Sequence, residues 1–270
     1  MSPRPRIYAS PAERQRAYRA RKALRNANRH APEPIYADGA VTIYCGNWRD
    51  VLPCLDPASF DLVVTDPPYG TGGWRRVRGK KSLIVEPWDD GGTDWLRLVA
   101  PRPVLAFWPA AHAQRLLDLA SAVGLVKHRC LYWQKPDPMP RPDGGTRLSV
   151  EPIWVLSPPG FVLYGGTDIY VAPKPRAAAH PYEKPLEVLL WLIQKTSART
   201  ILDPFLGSGT TALAAKLLGR RCIGIEIDPT YAARAADRCR QAVLPLTPTS
   251  VNRHAPLFDF VTLAAREADR

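Results

Sequence analysis

The chain has 270 residues and 46% hydrophobic content, enough for one sizeable core with appendages. No apolar run nears the ~20 residues of a membrane span, and the arginine-rich start lacks the apolar segment of a secretory signal. Five scattered cysteines without C-x-x-C pairing argue against a disulfide frame or structural zinc, and for a reducing, cytoplasmic setting. The net charge is +12, of which residues 1–30 supply +8: Arg4, Arg6, Arg14, Arg16, Arg19, Arg21, Lys22, Arg25 and Arg29 against Glu13. A basic arm on a nearly balanced body calls for a polyanionic partner.

In chain order, Ser10-Pro11-Ala12-Glu13 has the form of a helix start, and the arm to about Asn28 is either a basic helix or a solvated tail. Val41–Cys45 reads as a strand, followed by Gly46-Asn47 and a turn. Residues 61–65 (Asp-Leu-Val-Val-Thr) read as a buried parallel strand ending in Asp66-Pro67-Pro68-Tyr69-Gly70. Two prolines cannot extend a ladder, so this is a stiff strand-end turn carrying an acid, bare carbonyls and an aromatic ring. A carboxylate and a carbonyl can accept both hydrogens of an exocyclic amino group while the ring stacks on its heterocycle. An ordinary proline-rich turn is the alternative for D-P-P alone.

Residues 70–92 read as a glycine-rich loop in which Arg75, Arg76, Arg78, Lys80 and Lys81 surround Trp74, a composition suited to nucleic acid or to a solvated loop. Val104–Trp108 is a strand, and 111–123 has helical periodicity closed by Gly124. Strands follow at 130–133 and 152–156, while 157–179 shows no firm period. Pro185 opens a helix with Leu186, Leu189, Leu190 and Ile193 on one face. Strand 200–202 ends at Asp203-Pro204, helix 210–218 at Gly219, and strand 222–227 at Asp228-Pro229. A helix covers about 230–242, and a weak one starts near Phe258. Alternation of this kind means a doubly wound, mostly parallel α/β sheet.

Three strands thus end in acid-proline, at Asp66, Asp203 and Asp228, on what would be one sheet edge. After Asp203 comes Phe205-Leu206-Gly207-Ser208-Gly209-Thr210, a glycine turn entering a helix, and Glu226 ends the next strand where an acid can grip ribose hydroxyls. Neither the dinucleotide fingerprint nor the G-K-[ST] phosphate loop is present. A turn without cations, headed by Asp203, suits a nucleoside with a cationic amino-acid tail, and S-adenosylmethionine has that form.

Over residues 36–245 the chain resembles the amino-methyltransferases of DNA, in the permuted β arrangement where the catalytic motif precedes the cofactor motif. Asp66-Pro67-Pro68-Tyr69 resembles the catalytic motif, 203–210 the cofactor loop and 224–228 the ribose strand. His180-Pro181-Tyr182-Glu183-Lys184-Pro185 resembles a segment that closes over the cofactor's methionine end, with Glu183 where the family usually has Gln. Trp133-Gln134-Lys135-Pro136 resembles the lining of the target-base pocket, where Lys135 would meet DNA. Asn47 stands where an Asp usually meets the cofactor adenine.

The resemblance implies a Rossmann-like methyltransferase domain at 35–245, with an arm at 1–34, a target-recognition insert at about 135–179 and an extension at 246–270. It implies double-stranded DNA as partner, adenine N6 as target and neither metal nor membrane; a homodimer is an allowed assembly. Cytosine N4 is the alternative target, although such enzymes usually carry Ser in place of Asp66. A DNA-binding protein without catalysis is the alternative of another class.

The arm reading is tested by salt. Deleting residues 1–30 is expected to weaken binding to all DNA sequences alike and to flatten the plot of log affinity against log salt, by about one unit per lost phosphate contact. An unchanged slope would show that the arm does not meet phosphates.

Overall fold

The computed structural model describes residues 32–68, 94–136, 149–175 and 183–242. Most of the basic arm, the loop 70–92 and its cations, Tyr69, His180, residues 137–148 and the C-terminal extension lie outside these.

The described residues form one nine-stranded sheet. In chain order the elements are β1 (Tyr36–Ala37), β2 (Val41–Cys45), α1 (Trp48–Val51), β3 (Leu62–Thr65), α2 (Leu96–Val99), β4 (Val104–Phe107) and α3 (Ala113–Ala122). They continue as β5 (Val126–Gln134), β6 (Val150–Ser157), β7 (Ile169–Val171), α4 (Leu186–Gln194), β8 (Thr200–Asp203), α5 (Thr210–Leu217), β9 (Arg221–Glu226) and α6 (Pro229–Gln241). Across the sheet the order is β1-β2-β9-β8-β3-β4-β6-β5-β7. The pairs β2–β9, β9–β8, β8–β3 and β3–β4 are parallel, while β6 runs antiparallel to both β4 and β5.

The central strands are apolar on both faces, as strands covered by helices must be. Their side chains alternate between two cores: Leu62, Val64, Leu105 and Phe107 face α4, α5 and α6. Val63, Val104 and Ala106 face the layer that includes Trp48, Leu96 and Leu116. Helix α4 departs from the one-face expectation. Val188, Leu189, Trp191, Leu192 and Ile193 are all buried, whereas Leu186 and Leu190 are only half-buried. The strands expected at 130–133 and 152–156 are longer, because together they form the hairpin β5–β6. Short β1 and β7 escape detection by pattern: two or three residues carry no readable period.

From β3 the chain moves to β4 on one side, and from β8 to β9 on the other, while β3 and β8 pair with each other. Such a switch point opens a crevice at the carboxyl ends of its strands. Here those ends are Thr65-Asp66 and Asp203. Because β6 runs backwards, its first residues, Val150 and Glu151, share that edge with the last residues of β5; Trp133 pairs with Glu151.

Gly209, which caps α5 in the left-handed region at φ +87°, sits against α6: an added Cβ would lie 2.6 Å from the Ala235 Cβ and 2.8 Å from its Cα. Gly209→Ala is expected to lose about 1–3 kcal/mol through backbone strain and overpacking. Chemical denaturation of the two proteins side by side measures the loss; equal midpoints would show that the turn does not need glycine.

Candidate active site

The two strand ends at the crevice are joined directly. Thr65 Oγ1 donates to Asp203 Oδ1 at 2.8 Å, and the Phe205 amide donates to the same oxygen at 3.1 Å. Asp203 is 3% exposed and makes no ion pair among the described residues. Burial pushes its pKa from 3.8 up to about 6; hydrogen bonds from Thr211, Thr65 and Phe205 oppose the rise, and the Asp66 charge adds to it. A buried acid short of positive charge suits a cationic ligand.

The glycine turn is held from two sides. The Gly207 amide donates to Glu226 Oε2 at 2.7 Å, and the Asp228 amide to Oε1 at 2.9 Å. Glu226 is buried, and that burial raises its pKa against the pull of these amides. Arg238 on α6 reaches over the turn from the other side. One of its nitrogens donates to the Ser208 carbonyl at 2.9 Å, Ser208 Oγ at 3.1 Å and Thr210 Oγ1 at 3.2 Å, and lies 3.1 Å from Glu183 Oε1. Gly207, at φ +57°, has nothing within 4 Å of an added Cβ, so space is open beside its backbone. Phe205 packs edge-on against Trp48 and Trp95 at centroid distances of 6.0 and 6.1 Å.

Two residues expected at the cofactor serve first as helix caps. Asn47 Oδ1 accepts from the Arg49 amide at the start of α1, and Asp228 Oδ1 accepts from the Thr230 and Tyr231 amides at the start of α6. The backbone still brings Asn47 to the end of β9, through the Gly46 amide and the Glu226 carbonyl at 2.8 Å.

On the β3 side, Asp66 is part-buried, Pro67 buried and Pro68 part-buried. Lys184, expected at the cofactor, extends to the Asp66 turn: its Nζ lies 2.5 Å from Asp66 Oδ2 and 3.3 Å from Glu151 Oε2. Lys135, expected against DNA, is 8% exposed and directs its ammonium to Glu151 Oε1 at 2.5 Å, with its Nζ 4.9 Å from the Trp133 ring centroid. Thr65, Glu151 and Arg238 escape the sequence reading. Thr65 and Glu151 left a signal, as polar residues beside apolar strand runs; Arg238, within a mixed-charge helix, left none.

An acid whose pKa rises on folding costs stability once it ionises. For Asp203 that cost is absent below about pH 4, grows as the pH rises to about 6 and is complete above, on the order of 3 kcal/mol. Asp203→Asn is thus expected to melt several degrees above the unaltered protein at pH 8, with the gap closing towards pH 4. Equal melting temperatures at pH 8 would show that the buried charge is not strained.

The relatives fit this geometry. A DNA methylase family model for N6 and N4 methyltransferases matches residues 164–237. The type II methyltransferase M2.LlaDCHI of Lactococcus lactis subsp. cremoris is 25% identical over 76% of this chain and 91% of its own length. M2.DpnII of Streptococcus pneumoniae is 26% identical over 76% and 92%. Among solved structures, the M1.HpyAVI–SAM complex superimposes with a TM-score of 0.58 at 25% identity, covering 73% of this chain and 99% of that one. The cytosine-N4-specific PvuII DNA methyltransferase, at 19% identity, shares the fold with a TM-score of 0.60 over 82% and 91%. In fold, site and relatives together, the chain is similar to the N6/N4 DNA amino-methyltransferases.

Proposed function

We propose that this S-adenosylmethionine-dependent DNA methyltransferase acts on the N6 amino group of adenine at a specific site in double-stranded DNA. The observation that carries the reading is the junction of two turns, one bearing Asp66 and one headed by the buried Asp203, which has no cationic partner among the described residues, linked by Thr65.

The residues present fit the cofactor. Asp203 offers negative charge to a cationic amino-acid tail, Glu226 offers its carboxylate to ribose hydroxyls, and the space beside Gly207 lets the backbone approach. Phe205, Ser208, Gly209 and Thr210 line the same turn, with Asn47, Asp228 and His180 assigned around it. When bound, S-adenosylmethionine supplies a methyl group activated on a sulfonium. The relatives are named type II methyltransferases, so a place in restriction-modification goes with the reading.

The protein's own part is to present the amino group. The target base must leave the duplex, at a cost of a few kcal/mol, and stacking on Tyr69 returns about 1–3 kcal/mol. Asp66 and the Pro67 carbonyl accept the two amino hydrogens, with Pro68 stiffening the turn. Holding both hydrogens draws the nitrogen lone pair out of the ring, which makes the nitrogen nucleophilic. Positioning and charge placement supply the acceleration. Arg75, Arg76, Arg78, Lys80 and Lys81 are assigned to the DNA backbone in this reading. Cytosine N4 is the second reading, favoured by the fold shared with the PvuII enzyme and opposed by Asp66.

Expression in methylation-free cells, with nucleoside mass spectrometry of the genomic DNA, is expected to yield N6-methyladenine; N4-methylcytosine alone would overturn the target. Asp66→Ala is expected to lower turnover by about 10²–10³-fold while S-adenosylmethionine still binds. Near-normal turnover in that variant would remove Asp66 from the chemistry.

A further inference from the structure

Four buried or half-buried charges run in a line of alternating sign from the catalytic turn: Asp66, Lys184, Glu151 and Lys135. Lys184 bridges the two carboxylates, at 2.5 Å from Asp66 and 3.3 Å from Glu151, and Lys135 holds the other oxygen of Glu151. Side-chain exposure is 11% for Lys184 and 8% for Lys135, against 23% for Asp66 and 27% for Glu151. The Lys184 ammonium lies 4.9 Å from the Phe107 ring centroid, so an aromatic face of β4 backs it. Lys174, an exposed residue, adds a cation at the rim, where solvent screens it.

We propose that Glu151 is a positioning residue for amino-group methylation: it engages Lys184 and Lys135 so that the negative charge of Asp66 remains available to the target amine. The inference rests on the amino-methyl-transfer reading above. As the amino nitrogen bonds to the methyl carbon, the carbon–sulfur bond would break with its electron pair left on sulfur, and the positive charge gained by the nitrogen is relieved when one of its hydrogens leaves as a proton through the acceptors that held it. A neutral set of two carboxylates and two ammoniums leaves Asp66 able to stabilise that charge. Without Glu151 the set carries one surplus positive charge, Lys135 loses its carboxylate, and Lys184 has Asp66 alone to pair with. The surplus then opposes charge build-up on the nitrogen, and Lys184 competes with the amine for the same carboxylate.

The electrostatic surroundings of the two groups agree with this arrangement. Burial opposes the charge on Lys184, yet Asp66 and Glu151 raise its pKa above the ordinary lysine value, so it remains an ammonium and not a base. Burial likewise opposes ionisation of Glu151, while Lys184 and Lys135 bring its pKa below the usual range. Both charges are therefore present throughout the neutral range.

Charge balance makes a prediction that loss of a mere contact does not. Glu151→Gln is expected to slow single-turnover methylation at saturating S-adenosylmethionine by about 10- to 100-fold, the scale of one uncompensated charge at this range in a part-buried site. S-adenosylmethionine affinity, read by calorimetry, and DNA affinity are expected to stay within about twofold. Adding Lys135→Gln to Glu151→Gln removes the surplus charge and is expected to restore most of the lost rate. The melting temperature of the cofactor-free protein is expected to follow the same pattern, falling in the single variant and recovering in the double. A Glu151→Gln variant as fast as the unaltered enzyme, or a double variant no faster than the single, overturns the proposal. Should Glu151→Gln fail to fold, the double variant decides: if it binds S-adenosylmethionine but methylates as slowly as Asp66→Ala, the proposal falls. An unaltered enzyme that methylates no amino group fails at an earlier point, and that failure belongs to the proposed function itself.

Discussion

A single buried hydrogen bond, from Thr65 to Asp203, joins the two halves of the site. It spans neighbouring strands at the point where the chain turns one way from β3 and the other way from β8. The Asp66 turn follows Thr65 directly, and the glycine turn follows Asp203 directly, so this one contact helps set the spacing between them. Strand backbones at the centre of a covered sheet move little, which makes that spacing a fixed property of the fold. The cost is a carboxylate held in a place where burial penalises its charge. Donors from Thr65, Thr211 and Phe205 offset part of that cost, and a cationic ligand would offset more. Stability is given up where binding needs it, a common pattern at functional sites.

Much of this was legible in the residues because parallel strands in a doubly wound sheet write themselves as short apolar runs. Leu62–Thr65, Val104–Phe107 and Thr200–Asp203 are buried throughout, so their hydrophobicity is continuous and their ends are marked by acid and proline. Helix positions followed from period and from caps such as Asp228 and the left-handed Gly209. Direction and pairing were not legible. Nothing in 150–157 says that this strand runs against its neighbours, and only that reversal delivers Glu151 to the active edge. Lys135 illustrates the same gap: a lysine after an aromatic strand reads as a surface cation, yet the strand extends to Gln134 and leaves the ammonium facing Glu151.

Glu183 and Arg238 show how a departure from a family pattern can be read from packing. Gln is usual at this position, and an amide could make a neutral hydrogen bond to a neighbour. The carboxylate makes a charge-assisted one with Arg238, whose nitrogen also spans the Ser208 and Thr210 oxygens. Glu183, 25 positions before Ser208 in sequence, is thereby tied to the glycine turn through one guanidinium. The tie joins the stretch before α4 to the start of α5 by way of α6, three helices on one face of the sheet.

The reversed strand β6 has a wider consequence. Its hairpin with β5 is a stem whose open end lies at the same sheet edge as Asp66 and Asp203, with Lys135 on one leg and Glu151 on the other. The two legs open at the mouth of the crevice, while the packing that holds the stem is finished below, at Leu131, Ile153 and Val155. Lineages could therefore lengthen, shorten or rewrite that intervening stretch and leave the core untouched. A stretch mounted in this way can change in evolution while the frame that carries it stays fixed.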